Sequence, residues 1–312
     1  MRNRVVFFGT PEIGCAVLQT LLNNKALEVV GVVCQPDRPA NHHKIYFSPV
    51  KQLAITQHLN LFQPEKLKQI EEQLKDLQPD LIVTCAYGLI VPESILKIPK
   101  YKCVNIHPSL LPKYRGPAPI NYAIFNKDKI TGVTLMYMDK GMDSGDIIAQ
   151  SPPVLIAVDE TYSTLYKKLT NVACVLLNEH IEGLFSTDVK STKQDPNNIT
   201  FSHMITKEIM QINWNDDADN IVAKINGLYA KPLAFCVYNG INIKIHQAKE
   251  IKLNREITDV GVIIEVSSSG IVVTTKTNFI LLEKIQLPSK NPVSVKDLVN
   301  GNHIFKVNTK FN

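Results

Sequence analysis

Val5-Val6-Phe7-Phe8 runs straight into Gly9-Thr10-Pro11, and further on comes Val29-Val30-Gly31-Val32-Val33-Cys34, apolar or glycine at every position. A strand with one wet face alternates apolar and polar side chains, and neither of these does. Near-continuous apolar strands belong to a parallel sheet covered on both faces. Residues 12–23, between the two, carry Ile13, Ala16, Val17 and Leu21 at helical spacing. The alternation continues with a helix over 64–77 (Leu67, Ile70, Leu74, Leu77) and short strands at Leu81–Cys85 and Lys102–Ile106. A longer strand follows at Thr131–Met138, then a long helix over 160–184. The predicted class is α/β, a Rossmann-like, mostly parallel sheet with helices on both faces.

The pattern changes near residue 186. Ser186–Thr200 is rich in Ser, Thr, Lys, Gln, Asp, Pro and Asn, which is linker composition. One helix is expected at 218–229, then strands at Ala234–Tyr238, Ile241–His246, Val260–Glu265, Ile271–Thr275 and Phe279–Leu282. Asn239-Gly240 between the first two marks a hairpin. Five short strands and one helix suit a small C-terminal β-barrel of the oligonucleotide-binding kind, OB-like. The expected division is 1–188, a linker at 189–207, and 208–312.

The chain has 312 residues, 34 Lys+Arg against 29 Asp+Glu, a net charge of +5, 45% hydrophobic and 20% charged residues. This composition excludes a disordered chain, a collagen-like repeat and a small disulfide scaffold. Residues 1–199 carry +2 and residues 200–312 carry +3, a mild basic tilt toward the smaller domain that favours an anionic partner there. The apolar run after Met1-Arg2-Asn3-Arg4 is too short for a signal peptide, and no stretch is long enough for a membrane helix. The six cysteines form no CxxC pair and read as buried free thiols rather than zinc ligands or nucleophiles. The expectation is a cytoplasmic monomer with no metal and no membrane contact.

Two segments carry chemistry. In Cys103-Val-Asn-Ile-His-Pro-Ser-Leu-Leu-Pro-Lys-Tyr-Arg-Gly-Pro-Ala-Pro119, a short strand delivers Asn105 and His107 onto one face. Pro108, Pro112, Pro117 and Pro119 then make a stiff loop at the carboxyl end of that strand, where open α/β sheets place ligands. An amide and an imidazole side by side offer two hydrogen-bond donors to one oxygen, the arrangement that stabilises an oxyanion in acyl transfer. The bland alternative is an amide that caps the loop and a structural histidine. The second segment, Met138-Asp-Lys-Gly-Met-Asp-Ser-Gly-Asp146, brackets Asp143 with Gly141 and Gly145. Its acidic spacing is not that of a calcium loop, and it reads otherwise as a solvated turn. Gly9–Gly14 lacks the glycine pattern of dinucleotide or NTP loops. The polar stretch Gln35–Lys44 follows the second strand at the same sheet edge, where it would close over a substrate.

With these residues in view, the chain resembles the 10-formyltetrahydrofolate-dependent formyltransferases. Asn105-Ile-His-Pro-Ser-Leu-Leu-Pro-Lys-Tyr-Arg-Gly116 is similar to their signature, and Gly141-Met-Asp-Ser-Gly145 to their second motif. The resemblance implies Asn105, His107 and Asp143 as the catalytic set, and Ser109, Leu110, Leu111 and Pro112 as the lining of the pocket for the co-substrate 10-formyltetrahydrofolate. Phe8–Pro11, Gln35–Pro39, Pro49-Val50-Lys51 and Ile212-Asn213-Trp214 extend the likeness over essentially the whole chain, toward members that formylate initiator methionyl-tRNA. That implies a tRNA-binding barrel at 208–312 and a tRNA contact through Arg38, His42, His43 and Lys44. At Asn41–Lys44 the chain departs from the Gly/Arg/Lys-rich loop of that group, and Leu228–Pro232 lacks its second Trp. Sugar-nucleotide N-formyltransferases, which share Ser-Leu-Leu-Pro-Lys-Tyr-Arg-Gly, are the alternative; a folate- or RNA-binding protein without activity is the non-enzymatic one.

Overall fold

The computed structural model describes residues 2–39 and 45–312. They fall into two compact units. The first comprises 2–119, Ile130–Leu155 and Tyr166–His203; the second comprises Ile120–Lys129, Ile156–Leu165 and Met204–Asn312.

The first unit is built on a seven-stranded sheet. Its strands are β1 (Asn3–Gly9), β2 (Leu27–Val33), β3 (Leu61–Phe62), β4 (Leu81–Cys85), β5 (Cys103–His107), β6 (Thr134–Tyr137) and β7 (Ile147–Gln150). The spatial order is β3-β2-β1-β4-β5-β6-β7. The first five are parallel; β6 and β7 join antiparallel at one edge. Val5, Val6, Phe7 and Phe8 are all fully buried. That is why the run does not alternate: Val6 and Phe8 pack with Leu74, Ile82 and Ile95 on one side, while Val5 and Phe7 are closed over on the other. The chain reverses direction of strand placement between β1 and β4, and β5 lies next to β4 on the far side of that switch point.

Three expected elements differ in detail. The helix over 64–77 begins late, as a 3₁₀ turn at Leu67–Ile70 followed by Glu71–Asp76, because Gln69 folds back to cap the Lys66 N–H at 3.1 Å. Thr131–Met138 is not one strand. Ile130–Thr131 pairs with Val154–Leu155, and the Val133 N–H leaves the ladder for Ser151 Oγ at 3.0 Å. The helix over 160–184 is Tyr162–His180 with a 3₁₀ turn, Ile181–Leu184.

The polar stretch 186–202 is bonded along the first unit. Thr192 exchanges two backbone bonds of 2.8 Å with Ile147, and Arg115 does the same with Thr200 (2.9 Å) and Ser202 (2.7 Å). Its side chains are polar because they cap turns and meet backbone, as Asp195 does at the 3₁₀ turn Pro196–Asn198.

The second unit is an antiparallel sheet around the helix Ala218–Leu228. Its strands are β8 (Ala234–Tyr238), β9 (Ile241–Ile251), β10 (Ile263–Ser267), β11 (Gly270–Thr274) and β12 (Phe279–Gln286), ordered β8-β9-β12-β11-β10. The expected hairpin is present, with Asn239 at φ +48° and Gly240 at φ +76°. The strand path is open: β8 and β10 form its two ends and do not pair with each other. Residues at the C-terminus bond to both ends, Thr309 and Phe311 to β10 or its approach and Asn312 to Val237 of β8. Trp214, Tyr238, Phe305 and Phe311 pack in the core with Ile221, Ile225 and Leu228 of the helix.

Candidate active site

β5 ends at His107, and its register sets the site. Asn105 lies opposite Thr84 on β4 and Met136 on β6, while His107 lies opposite Thr134. Residues paired in register share a face, so Thr84 and Asn105 meet. Thr84 Oγ1 lies 3.0 Å from Asn105 Oδ1, and the other end of the amide, Nδ2, donates to Asp143 Oδ1 at 3.3 Å. The second N–H of that amide meets no acceptor among the described residues.

His107 is almost fully buried, at 4% exposure. Its Nε2 lies 2.9 Å from the carbonyl oxygen of Tyr114. A carbonyl can only accept, so Nε2 carries the proton in the neutral ring. Nδ1 then faces the Asp143 carboxylate, 3.7 Å from Oδ2, beyond direct hydrogen-bond distance.

Asp143 comes from the glycine-bracketed turn, as the spacing suggested. Its Oδ2 accepts the Gly116 N–H at 2.8 Å, and its backbone sits at φ +48°. The turn can pack against β6 only because residue 145 is glycine: a Cβ there would stand 2.0 Å from the Tyr137 carbonyl oxygen. Gly116 is equally constrained, with φ +112° and room for a Cβ denied by the Ser202 carbonyl at 2.3 Å. Asn105, His107 and Asp143, separate in sequence, therefore converge at the carboxyl end of β5.

The Ser109–Pro112 stretch is held from within. Ser109 is buried and its hydroxyl donates to the Lys113 carbonyl at 2.6 Å. Leu111 is buried, its N–H donating to Thr134 Oγ1 at 3.0 Å and its carbonyl accepting from Gln150 Nε2 at 2.8 Å. Leu110 and Pro112 are half-buried. The Leu111–Pro112 bond, whose isomer is open in the sequence, is cis.

The polar stretch after β2 is anchored at its start. Gln35 Nε2 donates to the Tyr87 carbonyl at 2.8 Å, and Asp37 pairs with Lys51. Lys51, with the Gln63 amide, holds the Asp37 carboxyl below its usual range. Arg38 lies in the short strand Arg38–Pro39, paired with Ile45–Tyr46. His42, His43 and Lys44, the other expected tRNA contacts, lie outside the described residues.

Three contributors carried no signal in the sequence. Thr84 sits in an apolar strand, Thr134 in another, and Gln194 in the polar stretch read as linker. Gln194 Nε2 donates to the carbonyls of Asp143 and Gly145, both at 2.8 Å, and its Oε1 accepts from Arg115 Nε at 2.9 Å. Only the fold brings these groups to the site.

Four of the six cysteines, Cys34, Cys85, Cys103 and Cys236, are buried, and all six are free thiols. Burial pushes the thiols of Cys85, Cys103 and Cys236 well up. Among the described residues, no group of three or more His, Cys, Asp or Glu side chains is placed to hold a metal ion, and no helix is long and apolar enough to cross a membrane.

The arrangement of an amide, an imidazole and a carboxylate suits acyl transfer. Residues 2–181 match the formyl transferase family, and residues 204–303 match the C-terminal domain of formyl transferases. A methionyl-tRNA formyltransferase of Malacoplasma penetrans is 42% identical over 306 residues, covering 97% of this chain and 95% of its own. Among solved structures, HypX from Aquifex aeolicus superposes with a TM-score of 0.65 at 18% identity, over 96% of this chain and 47% of that one. An N-formyltransferase from Helicobacter canadensis, solved with folinic acid and dTDP-3-aminofucose, also gives 0.65, at 20% identity over 90% and 99%. At such identities these two likenesses speak for the fold alone. The family match covers both parts of the sequence, and on that ground the chain belongs to the formyl transferases.

Proposed function

We propose that this chain transfers a formyl group from 10-formyltetrahydrofolate to the α-amino group of initiator methionyl-tRNA, giving N-formylmethionyl-tRNA for translation initiation. The observation that carries the substrate is the 42% identity, over 97% of the chain, to a protein named methionyl-tRNA formyltransferase. The sugar-nucleotide reading has only neighbours at 20% identity behind it.

Asn105, His107 and Asp143 form the catalytic set in this reading. The neutral amine adds to the donor's formyl carbon, whose carbonyl oxygen gains negative charge. The bond from that carbon to N10 then breaks, the carbonyl re-forms, and tetrahydrofolate leaves with a proton on N10 that balances the one lost by the amine. The unused N–H of Asn105 is a donor suited to that oxygen, and it is held in place from both ends of the amide. His107 works through Nδ1, because Nε2 is committed to Tyr114. Protonated, Nδ1 is a second donor to the oxygen; neutral, it presents a lone pair able to hold a proton. Asp143 orients the imidazole across the 3.7 Å gap and, through a water, receives the amine proton. None of these steps calls for a metal.

Ser109, Leu110, Leu111 and Pro112 line the folate pocket in the same reading. Leu110 and Pro112 are half-buried and offer apolar contact; Ser109 and Leu111 hold the loop's shape. The tRNA is taken by the second unit and by Arg38, His42, His43 and Lys44. An OB-like barrel is part of this reading, supported by the C-terminal residues that bond to both ends of the open strand path. So are a division at 1–188, 189–207 and 208–312, a cytoplasmic location and a monomeric state.

The test is a competition. Labelled 10-formyltetrahydrofolate is offered to the purified protein with methionyl-tRNA and a dTDP-amino sugar together. Label on the methionyl-tRNA is the expected result; label on the sugar alone overturns the proposal.

A further inference from the structure

The stretch 186–202 looks like a tether in the sequence, yet one of its side chains touches both loops that build the site. Gln194 uses its whole amide. Two N–H groups go to the carbonyls of Asp143 and Gly145, at 2.8 Å each, and the oxygen takes Arg115 Nε at 2.9 Å. A flipped amide would set oxygen against two carbonyls and N–H against N–H, so the orientation is unambiguous. Arg115 belongs to the proline-rich loop and Asp143 to the glycine-bracketed turn. Within 192–202, no other described side chain bonds to both.

The backbone on either side makes Gln194 a fixed post rather than a loose contact. Two residues before it, Thr192 exchanges two backbone bonds of 2.8 Å with Ile147. After it, Thr200 and Ser202 bond to Arg115 on both its N–H and its carbonyl. What Gln194 grips is the residue that needs holding. Asp143 stands at φ +48°, a conformation that a non-glycine residue keeps only where its surroundings impose it. In that pose its carboxylate meets the Gly116 N–H and the Asn105 amide and stands 3.7 Å from His107 Nδ1.

We propose that Gln194 is a positioning residue for formyl transfer: it locks the Asp143 turn against the Arg115 loop and so sets where the Asp143 carboxylate stands relative to Asn105 and His107. This rests on the proposed catalytic role of Asp143. Gln194 touches no reacting atom, so its effect belongs in kcat rather than in either KM. A displacement of about an ångström at a reacting group costs on the order of 100-fold in rate.

The test is a double-mutant cycle with an independent structural readout. Gln194→Ala should lower kcat roughly 10–100-fold, with KM for both substrates within about twofold. In an Asp143→Ala background the same change should cost less than about threefold, because its target is already gone. Amide exchange at Gly116, whose N–H is held by Asp143, should speed up at least about tenfold in Gln194→Ala. Gln194→Glu keeps the length and the Arg115 contact but loses both donors, and should match the alanine variant even if that one folds poorly. Additive losses in the cycle, a wild-type-like Gln194→Glu, or unchanged exchange at Gly116 would each overturn the proposal. A wild-type protein without formyl transfer would instead defeat the function reading, while the Gly116 exchange would still decide whether Gln194 positions the turn.

Discussion

The Asp143 carboxylate accepts the backbone N–H of Gly116 at 2.8 Å, so the glycine-bracketed turn is bonded directly to the proline-rich loop. The two motifs therefore form one structure. Oδ2, the oxygen that holds Gly116, is also the one 3.7 Å from His107 Nδ1, which ties the geometry of the loop to that of the imidazole.

If Asn105, His107 and Asp143 act as proposed, Asn105→Ala, His107→Ala and Asp143→Ala each lower kcat by roughly 10²–10³, the usual cost of a lost oxyanion donor or proton partner. Circular dichroism and melting should show a folded protein in each case. Turnover near the wild type in any one of them removes that residue from the mechanism.

Thr84→Val keeps the shape of a buried residue and removes one hydroxyl. Thr84 Oγ1 also lies within reach of the Val104 carbonyl and Met138 Sδ, but the nearby carboxylate demands Nδ2 of Asn105 and leaves Oδ1 facing Thr84. Without that donor the amide can turn over. A fall in kcat of about tenfold is expected, equal to ~1.4 kcal/mol of transition-state stabilisation. An unchanged kcat would mean that Asp143 alone orients the amide.

Gly116→Ala should destabilise the protein by at least about 2 kcal/mol, from the positive φ and the 2.3 Å approach of Ser202 together. Denaturant melts would measure it. A neutral result would require the 186–202 stretch to move away without cost.

Tyr87 has a hydroxyl buried without a partner among the described residues, and burial first, then Cys34, pushes its pKa up to about 12. Tyr87→Phe should raise stability by about 1 kcal/mol at neutral pH, since an unsatisfied polar group is removed. Burial also raises Cys85, Cys103 and Cys236. In the unfolded chain these thiols ionise near ~8.5 and tyrosine near ~10, while the folded protein keeps them protonated. The unfolded state then binds fewer protons, so stability falls as pH rises above about 8.5. Tyr87→Phe should remove the part lost between pH about 10 and 12. Melting temperature against pH for both proteins checks the sign.

If the second unit and the polar stretch 35–44 bind tRNA through Lys and Arg, KM for methionyl-tRNA should rise steeply with salt while KM for the folate donor moves far less. Initial rates at several potassium chloride concentrations test this. A salt-independent KM for tRNA would place the contact on uncharged groups.

Much of this protein was legible in one dimension. Val5–Phe8 and Val29–Cys34 declare a doubly covered parallel sheet, because a strand buried on two faces has no polar positions to spare. Asn105 and His107 were readable because a strand places alternate residues on one face. Asp143 stood out as a carboxylate bracketed by glycines, of which Gly145 is required by the close approach to Tyr137, and its place in the set came from the family resemblance. What the sequence could not hold is whatever depends on partners distant in the chain. The break at Val133 follows from a hydrogen bond to Ser151, 18 residues away in the chain, that only folding closes. The same is true of Thr84 beneath Asn105, and of Gln194, whose stretch has the composition of a linker and the contacts of a wall. Apolar periodicity is local and survives in the sequence. The donor and acceptor that meet across 21 residues, or across 51, are chosen only when the tertiary structure brings them within 3 Å of each other.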